Sequence, residues 1–187
     1  MADLHTLAQK GQTDKLRRAL DKGADVNERD KEGAPPLLHA AYRGEIEAMK
    51  LLIDKGADVN GANSRGYSCL MVSAREGRTE AVQLLIDKGA IVNTADDEGG
   101  TALLWAAGYS PTVEVLKLLI DREADVNAKL ETGFTVLMFA AGNVEKVRLL
   151  LGRGADKNVR NNAGKTALDL AIEKGREEIA KLLKDGA

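Results

Sequence analysis

The pentapeptide GADVN, or a close variant, begins at Gly23, Gly56, Gly89, Glu123 and Gly154, at intervals of 33, 33, 34 and 31 residues. A chain that restarts itself at this spacing builds one local unit and stacks copies of it, rather than closing a single globular core. Two further glycine tracks keep step. Gly33, Gly66, Gly99, Gly133 and Gly164 each follow the Asn of that motif by six residues, and Gly11, Gly44, Gly77 and Gly175 form the third track. Glycine alone takes a positive φ without steric cost, so its periodic placement marks a repeated turn and not a phosphate-binding loop.

Two short helical patterns lie between the tracks. The first opens on Ser68, Thr101, Thr135 or Thr166, hydroxyl residues able to accept an orphan helix N–H. It ends near small pairs such as Ala40-Ala41, Ala106-Ala107 and Ala140-Ala141. The second carries an acid near its start in every block, at Asp14, Glu47, Glu80, Glu114, Glu145 and Glu178, facing the positive end of the helix dipole. It runs on to the glycine of GADVN, a left-handed C-terminal cap. Each unit therefore reads turn, helix, turn, helix. The predicted architecture is an all-α repeat solenoid: four full internal repeats at 30–62, 63–95, 96–129 and 130–160 between caps at 1–29 and 161–187. The caps are rich in charge, as terminal units with nothing stacked on them require.

The stretches APPLLHAA, YSCLMVSA, GTALLWAA, FTVLMFAA and KTALDLAI, read with the GADVN endings, resemble the ankyrin repeat family, whose unit is about 33 residues with a T-P-L-H-x-A pattern. The family's His is replaced here by Leu38, Met71, Leu104, Met138 and Asp169, and only His5 matches it. The expectation is similar architecture that leans more on apolar burial. The resemblance implies a concave groove, lined by hairpin turns and first helices, that binds another protein without a catalytic step.

Composition bounds the chemistry. A net charge of −2 offers no bulk attraction to nucleic acid or anionic membrane. The single Cys69 precludes an internal disulfide and fits a reducing, cytoplasmic setting, and the N-terminus is too polar for a secretory leader. The expected state is a monomer. The spacings offer no C-x-x-C or H-x-x-x-H pair for a transition metal, and no P-loop, so no cofactor is expected. A Cys69–His39 dyad is the one nucleophilic arrangement that adjacent repeats would bring together, and it stands as the enzymatic alternative. A selected stable scaffold with no native partner is another: LLIDKGADVN and LLIDKGAIVN are nearly identical, although the unequal blocks argue against a consensus design.

The aromatics point to a surface. All six, Tyr42, Tyr67, Trp105, Tyr109, Phe134 and Phe139, fall in the hairpin, the first helix or the turn directly after it. Tyr and Trp bury large area while keeping a polar handle, which suits a binding face. Trp105 and Phe139 directly precede the Ala pairs, so wedging between units accounts for them equally well. Arg43, Arg75 and Glu76 end first helices on the same rim, and Arg65 and Glu98 stand at hairpin tips.

One turn breaks the pattern. From the last Ala of the pair to the third track is three residues in most blocks, four from Ala107 to Pro111 and one from Ala141 to Gly142. Ser110 is positioned to cap the second helix, with Pro111 at its first residue. The insertion sets Tyr109 beside Trp105 and the deletion shortens the turn at Asn143, which joins the candidate contact residues. The same block ends its second helix on Glu123 in place of glycine.

Overall fold

The computed structural model describes residues 3–185 and, among them, twelve helices and no strand. Residues 1, 2, 186 and 187 of the two caps lie outside the described residues. The first helices are α1 (Leu4–Gln9), α3 (Pro36–Arg43), α5 (Cys69–Arg75), α7 (Ala102–Tyr109), α9 (Val136–Ala140) and α11 (Ala167–Glu173). The second helices are α2 (Thr13–Asp21), α4 (Ile46–Asp54), α6 (Thr79–Asp87), α8 (Glu114–Asp121), α10 (Val144–Gly152) and α12 (Glu177–Asp185). Each first helix packs on its own second helix and on the next first helix, which makes an all-helical solenoid of two layers.

The hydroxyl caps form as the sequence predicts. Ser68, Thr101, Thr135 and Thr166 accept the N–H groups of Met71, Leu104, Met138 and Asp169 at 3.2–3.3 Å. In α3, Pro36 at the helix start takes the place of a side-chain cap. The core runs the length of the stack, with Leu37, Met71, Leu103, Leu104 and Leu137 from first helices and Leu52, Leu85, Leu119 and Leu150 from second helices fully buried. Four of the residues in the place of the family's His, Leu38, Met71, Leu104 and Met138, are buried, so apolar packing fills those positions.

The hairpins close on themselves and zip together. Asp30, Asn63, Asp96 and Asn161 each accept two backbone N–H groups of their own turn through one side-chain oxygen. Consecutive tips are then joined by backbone bonds, Ser64 to Glu32, Asp97 to Arg65, Glu131 to Glu98 and Asn162 to Thr132, at 2.9–3.1 Å. Isolated bridges form inside two hairpins, at Ala62–Ser68 and Lys129–Thr135.

The GADVN loops make a second ladder. Its aspartates bond locally, Asp25, Asp58, Asp125 and Asp156 each accepting the N–H two residues on. Its asparagines reach across instead. Asn27, Asn60, Asn93 and Asn127 accept an N–H of the next loop, from Asp58, Ile91, Asp125 and Asp156 at 2.8–2.9 Å. The same side chains donate to Gly56, Gly89, Glu123 and Gly154 carbonyls. This inter-repeat staple satisfies loop backbone groups that no helix or hairpin pairs, and the GADVN pattern alone did not announce it.

The break at 106–115 is built differently from the expectation. Ser110 does not cap α8, which starts only at Glu114 with no side-chain cap. The Ser110 hydroxyl closes on its own loop, donating to Thr112 O at 3.0 Å and accepting from Thr112 N at 3.3 Å. The inserted residue moves Pro111 outside the helix, where its ring packs over Gly77. Glu123 is the non-glycine residue with a positive φ, 65°, among the described residues.

Candidate functional site

The aromatics converge at the junction of the third and fourth helix pairs. Trp105 is the hub. Its ring centroid lies 5.8 Å from Tyr67, 5.8 Å from Tyr109 and 6.3 Å from Phe139, and Phe139 in turn meets Phe134 at 5.9 Å. These are edge-on or tilted contacts of the kind that ring quadrupoles favour. The indole N–H donates to Asp96 Oδ2 at 2.8 Å, while Asp96 Oδ1 holds the hairpin. One carboxylate thereby fixes both the turn and the tryptophan above it. His39 occupies the matching position in α3 and bonds Asp30 Oδ2 at 2.8 Å.

Two glycines off the periodic tracks make room for this cluster. A Cβ on Gly100 would sit 2.5 Å from Trp105 Nε1, and one on Gly108 would sit 2.8 Å from Phe139 Cδ1. Glycine here serves close approach, not backbone freedom.

A cavity of about 450 Å³ opens beside the cluster, lined by Asn63, Arg65, Tyr67, Arg75, Asp96, Asp97, Glu98, Trp105 and Tyr109. Arg75 lies over the Tyr109 ring at 5.2 Å and meets Glu76 at 3.8 Å. Tyr109 is 53% exposed. Tyr67 Oη is buried without a hydrogen-bond partner, and burial pushes the phenol well above its ordinary pKa. It therefore stays protonated and keeps a donor to offer.

Of the residues singled out in the sequence, Arg65, Tyr67, Arg75, Glu98, Trp105 and Tyr109 come together at this cavity; Glu76 and Phe139 adjoin its lining, and Phe134 lies one ring further out, against Phe139. Tyr42 and Arg43 sit apart on α3, the guanidinium 5.7 Å from the ring. Asn143 is used locally, capping α10 by accepting the Lys146 N–H at 3.0 Å. Sequence reasoning did not single out Asn63, Gly100 and Gly108, and it read Asp96 and Asp97 with Glu98 as a charge run of a solvated turn rather than as contact residues. For the glycines the signal was available, because neither belongs to a track.

The Cys69–His39 alternative is overturned. Cys69 is fully buried with its thiol donating to Gly61 O at 3.2 Å, and burial pushes its pKa up to about 12. His39 is committed to Asp30. A buried thiol of that pKa supplies no thiolate. Among the described residues, no group of three or more His, Cys, Asp or Glu side chains is placed to hold a metal, and no helix is long and apolar enough to cross a membrane.

A family model described as ankyrin repeats (3 copies) matches residues 4–96, 56–130 and 103–187. The chain belongs to the ankyrin repeat family. Ankyrin repeats are generally protein–protein interaction modules and generally non-enzymatic. Curated proteins gave no match.

Proposed function

We propose that this ankyrin-repeat chain is a non-catalytic scaffold that captures a partner protein in its concave groove, with the contact centred on Trp105, Tyr109 and Tyr67. One observation carries the reading: a half-buried aromatic wall, with Tyr109 exposed at its edge, is fixed in place from behind. Asp96 pins the indole, Gly100 leaves the space that the indole fills, and Gly108 leaves the space that Phe139 fills. Aromatic side chains fixed before binding lose little entropy on contact, which is the usual make-up of an interface hot spot. The wall is bordered by both signs of charge, Arg65 and Arg75 against Asp97 and Glu98. Mixed polarity suits a protein surface better than a phosphate backbone, which needs a run of cations.

The test is the double variant Trp105→Ala with Tyr109→Ala. Affinity capture from the source lysate, followed by titration of the captured partner, is expected to show binding weakened by tenfold or more with helicity retained. Unchanged affinity in that titration overturns the groove reading.

A further inference from the structure

The end of α7 lacks the donors that finish α1, α3, α5 and α11, and the shortened turn after α9 closes instead on Ala140 O through Gly142 and Asn143. After α3, the turn glycine and its successor donate back, Gly44 N–H to Ala41 O at 3.2 Å and Glu45 N–H to Ala40 O at 3.0 Å. The same pair recurs after α5, from Gly77 and Arg78, and after α11, from Gly175 and Arg176. After α7 the residue in glycine's place is Pro111, which has no N–H to give. Its successor Thr112 turns to the Ser110 hydroxyl instead. One backbone bond remains, Ser110 N–H to Ala106 O. The carbonyls of Ala107 and Ser110 would be orphaned, and buried orphans are costly.

Lys146 fills the gap. Its Nζ lies 3.0 Å from Ala106 O, 2.9 Å from Ala107 O and 2.8 Å from Ser110 O, and the residue is 4% exposed. At this place α4, α6, α8 and α12 bury Ala48, Ala81, Val115 and Ile179, and α2 of the N-terminal cap carries an exposed Lys15. A cation at a helix C-terminus has the sign the dipole favours. Arg78 at Tyr42 O and Arg176 at Ala141 O reach back to the preceding first helix in the same sense, from the start of a second helix. There the basic group adds to a turn that is already closed or nearly so. At α7 it supplies what the turn has lost. The reach is open because α9 stops at Ala140, three residues before the point equivalent to the end of α7.

We infer that Lys146 is the positioning residue of the groove's aromatic wall: its ammonium replaces the missing turn N–H groups and holds the α7 end, with Trp105 and Tyr109, against Phe139. The functional half of this inference rests on the groove reading above; the geometric half does not. The insertion at 107–111 and Lys146 then form one coupled pair.

The experiment is a cycle on the whole chain. Lys146→Met is made in the native sequence and in a chain with Ser110 deleted and Pro111→Gly, which restores the regular turn. Trp105 is the sole tryptophan, so its emission reports the wall directly, and amide exchange at Ser110 reports the turn. In the native sequence Lys146→Met is expected to shift Trp105 emission to the red and speed Ser110 exchange at least tenfold. In the restored-turn chain, where the residue before the proline's replacement is Tyr109, exchange at that amide is expected to change less than twofold. Equal effects in the two backgrounds, or no effect in the native one, overturn the inference. Should Lys146→Met leave the chain unfolded, Lys146→Arg decides: native-like emission supports the donor role, and the same collapse refutes it. None of these readouts needs a partner, so their failure is separable from failure of the groove reading.

Discussion

Replacing Glu123 by glycine isolates one backbone term in an otherwise regular loop. Gly23, Gly56, Gly89 and Gly154, which hold the equivalent place, have φ of 85–92°, and Glu123 is driven to 65°. A Cβ at each of those four glycines meets nothing within 4 Å. Glu123 therefore loses nothing to a clash and only its own conformation is strained. Left-handed backbone costs an L-residue about 1–2 kcal/mol. The extra freedom glycine has when unfolded returns about 0.4–1 kcal/mol of that. Removing a carboxylate from the negative end of α8 adds about 0.3–1 kcal/mol in favour of glycine. The backbone bonds Glu123 N–H to Ile120 O and Asn93 Nδ2 to Glu123 O need no side chain and survive.

The net expectation for Glu123→Gly is a gain of about 1 kcal/mol, which raises Tm by roughly 2–4 °C at this chain length. Thermal unfolding followed by helix circular dichroism reads it. Glu123→Ala separates the two causes, since it removes the charge and keeps the Cβ at positive φ. Alanine should recover less than glycine does. An alanine variant as stable as the glycine one would make charge the whole effect, and a fall in Tm with glycine would refute the strain argument outright.

Two other outcomes follow from local contacts. Gly108→Ala should cost about 1 kcal/mol in a urea titration, because the overpacking against Phe139, of order 1–3 kcal/mol, exceeds the roughly 1 kcal/mol that alanine gains inside a helix; a stabilised variant would show that the ring swings clear at no cost. Asp169 is held below its ordinary carboxylate pKa by the Thr166 N–H first and the Thr166 hydroxyl second. A depressed folded pKa means that its stabilisation is present above the unfolded value near 3.8 and is lost as pH falls through the folded one. Between roughly pH 5 and pH 2 the urea midpoint should therefore fall less for Asp169→Asn than for wild type, and parallel curves would remove the carboxylate from the account.

What the sequence made legible was everything with a short period. Caps at Ser68, Thr101, Thr135 and Thr166, glycines at positive φ and the apolar pair faces recur along the chain, and each is fixed within a few residues of itself. The candidate residues around Trp105 were legible too, because six aromatics confined to one half of the unit stand out against a periodic background. The Asn staples were not, since a loop asparagine reads as a local turn former and its partner lies about one repeat away. Lys146 was hidden for the same reason more strongly: its three acceptors are 36 to 40 residues distant. Ser110-Pro111 misled because Ser-Pro before an apolar run is a sound helix start, and one inserted residue moved the start beyond it.

The irregular block holds two kinds of departure from the repeat. Gly108 and Pro111 depart from the pattern around the end of α7, and each departure is met by a specific partner: the Phe139 ring for the missing Cβ and Lys146 for the missing N–H groups. Glu123 departs in the loop after α8 of the same block, where it holds a positive φ without being glycine. The two kinds of departure also separate by experiment. Relieving Glu123 should stabilise the chain and leave Trp105 emission unchanged, whereas relieving the 107–111 turn should move the emission of the indole itself.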